Sequence, residues 1–246
     1  MVSAAIFTLL LAPAAGGACP PVQGAFSPLA QVASKLNHDW DFSRHSCILK
    51  GEIIVTGASI SAGIGMHPLD ILRGANPNLD PHISKITAPG MPSSANIERV
   101  LASSLASPGT IFAVDLFFWD GNGGASHCEN SVRDVQRLLK HINEYKINLV
   151  LGNIPNSLNL DCQKKINAAM EPCRKLPTCH LIDIDKKLTQ FEKTGSVPYL
   201  GGSTIPPSAL RTDGLHLSRA GATVFAEEIM KDFDTKPPLC TEAPPP

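Results

Sequence analysis

The sequence predicts an α/β fold, a three-layer α/β/α sandwich around a central parallel sheet of about five strands. Three observations support this class. Short, mostly β-branched apolar runs recur along the chain, and most of them are separated by segments with the apolar spacing of amphipathic helices. The runs are apolar almost throughout, as in strands of a parallel sheet covered on both faces. A chain of 246 residues with 43% hydrophobic and 17% charged residues suits one such domain.

Each element can be placed on the sequence. The predicted strands are Glu52–Thr56, Ile83–Thr87, Thr110–Leu116, Ile147–Gly152 and His180–Ile184. The predicted helices are Ser93–Leu105, Asn130–Tyr145 and Ser218–Asp232, with a further short helix near Leu29–Leu36. Alternation of strands and helices favours one parallel sheet with helices on both faces.

The N-terminus resembles a secretory signal peptide. Residues 1–34 carry no charged side chain, and the apolar run Ala4–Leu11 precedes a series of small residues, although a basic start is missing. We expect four segments: a signal peptide at 1–18, a lead-in at 19–46, the α/β domain at 47–234 and a proline-rich tail at 235–246. The run is too short for a transmembrane helix, which needs about 20 residues. An apolar N-terminus without a targeting role is the alternative.

These features predict a secreted, periplasmic or cell-envelope protein. Lipidation of Cys19 is a variant of this prediction. It is disfavoured because Gly16 occupies the position at which a lipobox usually has leucine. The formal net charge is −1 and there is no cluster of Lys and Arg, so we expect no nucleic-acid partner.

Cysteine usage fits an exported protein. Cys19 lies at the expected cleavage point, which leaves six of the seven cysteines, an even number that favours disulfides. Metal binding is the rival interpretation. The chain contains no Cys-x-x-Cys pair and no histidine at zinc-finger spacing, so we expect no metal.

A glycine-flanked serine follows the first predicted strand, in Gly57-Ala58-Ser59-Ile60-Ser61-Ala62-Gly63. In an open parallel sheet ligands bind beyond the carboxyl ends of the strands, so Ser59 is expected at that edge, where a helix begins. A phosphate-binding loop would need lysine after Gly63, and the α/β-hydrolase elbow would need glycine in place of Ser61. A structural serine in a glycine-rich turn is the alternative.

A second polar signal, Asp213-Gly214-Leu215-His216, precedes the last predicted helix. At this spacing a bent loop lets the carboxylate reach the imidazole, fix its tautomer and stabilise its charged form. The alternative is an Asp-Gly turn followed by a helix cap at Ser218.

Together these residues resemble the SGNH, or GDSL-type, hydrolase superfamily, and the likeness runs from about Lys50 to Asp232. Residues 57–63 are similar to the family's first block, Gly-Asp-Ser-Ile-x-x-Gly, with Ser59 as the nucleophile. Asp213 and His216 match its last block, Asp-x-x-His. The resemblance implies a flavodoxin-like strand order and a Ser-His-Asp triad that needs no cofactor.

The resemblance also implies an oxyanion hole, formed by the backbone N–H groups of Ser59 and Gly90 together with a side chain of the third block. There the family has Gly-x-Asn-Asp, whereas this chain has Phe117-Phe118-Trp119-Asp120. Trp119 therefore occupies the position of the asparagine. We expect its indole N–H, or alternatively the side chain of Asn122, to act as the donor. Ala58 replaces an aspartate that is not one of the reacting groups.

The sequence thus predicts an exported serine esterase that hydrolyses acyl or acetyl esters, with a small ester or an acylated glycan or lipid as substrate. Two alternatives stay open. One is an O-acyltransferase acting on a cell-envelope glycan, and the other is a non-catalytic carbohydrate- or partner-binding protein on the same fold.

The expected topology also predicts the disulfides. Cys128 and Cys162 follow strands that end at the site edge of the sheet, whereas Cys47 precedes the first strand at the opposite edge, to which the last helix returns. The predicted pairs are Cys47–Cys240, Cys128–Cys162 and Cys173–Cys179.

Overall fold

A five-stranded parallel sheet forms the centre of the computed structural model, which describes residues 48–49, 51–76, 81–107, 109–122, 125–155, 158–199 and 202–236. Its strands are β1 Glu52–Gly57, β2 His82–Thr87, β3 Thr110–Ala113, β4 Leu149–Gly152 and β5 Cys179–Ile182. They lie in the order β2-β1-β3-β4-β5, and a separate antiparallel ribbon joins β6 Val197–Tyr199 to β7 Ser203–Ile205. The predicted class and strand order are confirmed.

Helices cover both faces of the sheet. They are α1 Ser59–Ala62, α2 Pro68–Ala75, α3 Ile97–Ala106, α4 Ala125–Tyr145, α5 Leu160–Met170, α6 Ile184–Thr194 and α7 Arg219–Thr235. On β4, Val150 packs with α2, α6 and α7, whereas Leu149 and Leu151 pack with α3, α4 and α5. This alternation places an apolar core on each side of the sheet and gives the three predicted layers.

Several predicted boundaries are wrong. β3 ends at Ala113, three residues before the predicted end, because the chain turns there and Asp115 reaches α1. The last predicted strand ended at Ile184, which instead begins α6. The helices α2, α5 and α6 were not predicted.

The cysteine pairs Cys128–Cys162 and Cys173–Cys179 are disulfide-bonded. The first joins α4 to α5 on one side of the sheet, and the second joins the turn after α5 to β5. The predicted signal peptide, the lead-in with its helix, the tail beyond residue 236 and the Cys47–Cys240 pair lie outside the described residues. In the described part of the chain, no helix combines the length and apolar character needed to cross a membrane.

Candidate active site

Three of the predicted site residues, Ser59, Gly90 and Trp119, follow the carboxyl ends of three neighbouring strands. β1 ends at Gly57, and Ser59 begins α1 one residue later. β2 ends at Thr87, shortly before the exposed turn at Gly90, where φ is +71°. β3 leads into Trp119. Parallel strands all point to this edge, so segments distant in sequence are neighbours here.

The turn that carries Ser59 is tightly packed. Ser59 itself is only 8% exposed. A side chain at Gly57 would place its Cβ 2.0 Å from Oδ1 of Asp115 and 2.5 Å from Oγ of Ser61, so only glycine fits. The turn therefore depends on Gly57 for its close contact with Asp115.

Asp115, which lies just beyond the end of the neighbouring strand β3, fixes this turn. Its carboxylate accepts hydrogen bonds from the backbone N–H of Ile60 at 2.8 Å and of Ser61 at 3.3 Å, and from the Ser61 hydroxyl. Burial raises the pKa of the Asp115 carboxyl, and the hydrogen bonds from Ser61 and Ile60 act in the opposite direction. The first amides of α1 thus have a buried acceptor from outside the helix.

Asp115 was not predicted to be part of the site. The available signal was an acidic residue inside the apolar run Val114-Asp115-Leu116. A buried acid in such a run needs several donors, and here α1 provides them.

Asp213 and His216 form a hydrogen-bonded pair. Nδ1 of His216 lies 2.6 Å from Oδ2 of Asp213, and the backbone N–H groups of His216 and Leu215 donate to Oδ1 at 2.8 and 3.0 Å. These hydrogen bonds, the one from the His216 backbone foremost, hold the pKa of Asp213 well below its usual range. An ionised Asp213 holds the proton of the ring on Nδ1, which leaves the Nε2 lone pair to accept a proton.

The loop of His216 packs against the segment that follows α1. The backbone N–H of Met66 donates to the carbonyl of Leu217 at 3.0 Å. A Cβ at Gly65 would lie 3.0 Å from the Cβ of His216 and 2.9 Å from the carbonyl oxygen of Leu217. The segment just after α1, the helix that Ser59 begins, is therefore held to the loop of His216 through backbone contacts.

The third block is anchored next to the Gly90 turn. Asp120 is fully buried, and its carboxylate accepts from the backbone N–H and the hydroxyl of Ser93, each at 2.8 Å, and from the hydroxyl of Ser131. Asp115 and Asp120 thus hold the two ends of the segment that contains Trp119. One end contacts α1 and the other contacts the residues just after Gly90.

The two proposed oxyanion donors of this segment differ. The indole Nε1 of Trp119 is buried and has no hydrogen-bond partner among the described residues. The Asn122 side chain instead accepts from the backbone N–H of Leu158 at 2.8 Å, which ties it to the segment before α5. The bond to Leu158 fixes the orientation of the Asn122 side chain through its oxygen, whereas the indole N–H of Trp119 is a buried donor without a partner among the described residues. Within the described ranges, no three His, Cys, Asp or Glu side chains are arranged as metal ligands.

Comparison with known proteins finds solved structures with a similar fold, but no family model and no curated sequence that matches. LAE5, an α/β hydrolase enzyme from the metagenome of Lake Arreo, Spain, is 11% identical, with a TM-score of 0.56 over 78% of this chain and 96% of its own. A GDSL-like lipase from Bacteroides thetaiotaomicron is 14% identical, with a TM-score of 0.51 over 86% and 98%. The psychrotrophic esterase EstA from Pseudoalteromonas sp. is 14% identical, with a TM-score of 0.50 over 75% and 97%.

Proposed function

We propose, on the premise that the chain has the fold of the SGNH, or GDSL-type, hydrolases, that it is a serine esterase acting on carboxylic esters. One observation carries this proposal. An Asp213–His216 pair with a 2.6 Å hydrogen bond sits in a loop packed against Gly65 and Met66, just after the short helix α1 that Ser59 begins. A serine next to a carboxylate-oriented imidazole is the arrangement that acyl transfer requires.

The first half of the reaction makes an acyl-enzyme. Oγ of Ser59 attacks the ester carbonyl carbon, and its proton passes to Nε2 of His216. The carbonyl π electrons move to oxygen, which gives a tetrahedral oxyanion. When the C–O bond to the alcohol breaks, the leaving oxygen takes the proton from His216, and the acyl group stays on Ser59.

The second half releases the acid. Water attacks the acyl carbon and gives its proton to His216, a second oxyanion forms, and Ser59 leaves with that proton as the carboxylic acid departs. Asp213 stays ionised throughout, because its hydrogen bonds hold its pKa far below neutrality. Its charge stabilises the imidazolium of His216 in both halves.

The proposed oxyanion donors are the backbone N–H groups of Ser59 and Gly90 and the indole N–H of Trp119. The backbone N–H of the first residue of a helix lies at the positive end of the helix dipole, and this positive end favours a developing negative charge. The unpartnered state of Nε1 in Trp119 supports its role, because a donor without a partner in the resting protein is available in the transition state.

Export belongs to the proposal. Its support is the uncharged, apolar N-terminal segment and the disulfides Cys128–Cys162 and Cys173–Cys179, since such bonds persist mainly in oxidising compartments.

The direct test compares Ser59→Ala with Ser94→Ala, the same change at an exposed serine. We expect Ser59→Ala to lower kcat for p-nitrophenyl acetate by roughly 10³-fold or more, and Ser94→Ala to leave it unchanged. A fluorophosphonate probe should label the wild type stoichiometrically and Ser59→Ala not at all. Equal turnover by Ser59→Ala and wild type would remove the nucleophile assignment. An unlabelled and inactive wild type would favour the binding-protein alternative.

A further inference from the structure

A small cavity lies beside the proposed reacting groups. It has a volume of about 40 Å³, and Ile60, Leu215 and Leu217 form one side of it. Ile60 is the neighbour of Ser59 in the chain, and the two leucines flank His216. The chain neighbours of Ser59 and His216 thus form one side of this cavity at the carboxyl edge of the sheet.

The rest of the wall comes from the sheet and α6. Val114 follows the end of β3, and Gly152 is the last residue of the adjacent strand β4. Leu188 of α6 and Phe118 form the remaining sides. A Cβ on Gly152 would lie 2.1 Å from the carbonyl oxygen of Val114, so the sheet is closely packed below the cavity. The cavity has no room to deepen towards the strands.

The polar groups of the wall already have partners. Asn153 donates to Asp183 at 2.8 Å and accepts from the backbone N–H of Asp185 at 2.9 Å. Arg211 donates to the carbonyl of Gly214 at 2.9 Å. Asp115, as described above, accepts from α1. The cavity thus offers an occupant mainly the apolar surface of Ile60, Val114, Phe118, Leu188, Leu215 and Leu217.

We propose that the cavity receives the acyl group of the substrate and restricts it to about four carbons or fewer. This inference rests on the proposed esterase function. A single water needs roughly 10–15 Å³, so a cavity of about 40 Å³ is small and suits a short acyl chain rather than a long one. The methyl of an acetyl group or the three carbons of a butyryl tail fit. The seven carbons beyond the carbonyl of an octanoyl group do not, and they must remain in water or displace Phe118 or Leu188.

The size limit has a measurable consequence. A methylene that fits an apolar pocket, or fails to fit it, changes kcat/KM by roughly tenfold or more. The wild type is therefore expected to hydrolyse p-nitrophenyl acetate and butyrate with a kcat/KM at least about tenfold above that for the octanoate.

The experiment uses Leu188→Ala to widen the cavity. Leu188 is 5% exposed, and its removal should raise the ratio of octanoate to acetate kcat/KM by roughly tenfold. Leu139→Ala is the matched control, because Leu139 is 6% exposed and lies on α4, across the sheet. It removes the same atoms and should leave the ratio at the wild-type value. Phe118→Ala, at a half-buried position, serves as a second widening variant if thermal melting shows Leu188→Ala to be unfolded.

Each outcome decides the point. If the wild type hydrolyses octanoate as fast as acetate through Ser59, the size limit is wrong and the esterase function stands. If both widening variants keep the wild-type ratio, the cavity does not hold the acyl group. If no ester is hydrolysed in a Ser59-dependent way, the proposed function fails and the inference fails with it.

Discussion

Replacement of Trp119 by phenylalanine would separate the hydrogen-bond donor of the third block from its aromatic bulk. The indole Nε1 is buried without a partner among the described residues, and the ring packs edge-on against Phe118 at 5.4 Å between centroids. Phenylalanine keeps an aromatic ring at this position and removes only the N–H and part of the surface. The substitution therefore tests the donor itself.

The two free-energy effects of this substitution differ in size. An unpartnered buried N–H costs the folded protein about 1–3 kcal/mol. Because it has no partner among the described residues, its removal breaks no hydrogen bond in the resting state. We therefore expect the free energy of unfolding to change by on the order of 1 kcal/mol. One oxyanion donor is worth about 10²–10³ in kcat, or about 2.7–4 kcal/mol. Because the oxyanion exists only in the transition state, kcat should fall by that factor while KM stays nearly constant.

The assay is steady-state hydrolysis of p-nitrophenyl acetate by Trp119→Phe and, as the rival donor, Asn122→Ala. We expect the loss in Trp119→Phe and nearly wild-type kcat in Asn122→Ala, whose side chain is tied to Leu158. Chemical denaturation of both variants controls for folding. The reasoning is refuted if Trp119→Phe keeps kcat within about threefold of wild type, and a large loss in Asn122→Ala would move the donor to that residue.

Two further predictions concern the packing around the nucleophile turn. Burial, with a smaller effect of Lys85, lowers the pKa of His67 to about 3, whereas the unfolded chain has a value near 6.5. Between these values the unfolded state binds one more proton, so stability falls as the pH falls. Linkage gives about 2 kcal/mol lost from pH 7 to pH 5. His67→Asn keeps an N-cap acceptor for the Leu69 N–H, and between pH 7 and pH 5 its free energy of unfolding, measured by urea titration, should fall by about that much less than that of the wild type. Equal losses in the two proteins would contradict a buried neutral histidine. Gly57→Ala would press a Cβ against Asp115 at 2.0 Å, and it should lower both the free energy of unfolding, by about 1–3 kcal/mol, and kcat for p-nitrophenyl acetate, by tenfold or more. Unchanged melting and kcat in this variant would show that the turn tolerates a side chain.

The sheet was predictable because four of its five strands, β1, β3, β4 and β5, are buried almost throughout and mostly apolar, which leaves a strong local signal in the sequence. The missed helices lack such a signal. α2 has eight residues, with Pro68 at its start and Gly74 near its end, and the cap residue is His67, which is an unusual N-cap. α5 buries Gln163 beside Cys162, Ile166 and Met170, and this glutamine interrupts the apolar pattern of the helix. Tertiary packing, rather than local propensity, decides these segments.

The candidate site was predictable where its contacts are local. Asp213 and His216 are three residues apart, and one bent loop is enough to join them. The contact of Asp115 with Ile60 spans 55 residues and depends on the order of the strands, which no short motif records. The commitment of Asn122 to Leu158 depends in the same way on a second crossover, 36 residues away.

The two buried aspartates on either side of Trp119, Asp115 and Asp120, also bear on how the protein can evolve. Asp115 is bonded to α1 and Asp120 to Ser93, so the backbone between them is placed by its ends. The side chain at position 119 is then not needed to position that backbone. A lineage can exchange an amide for an indole there by single substitutions that leave the fold unchanged. A library at position 119 should accordingly yield many folded variants with a wide range of rates, whereas libraries at positions 115 and 120 should yield few folded ones.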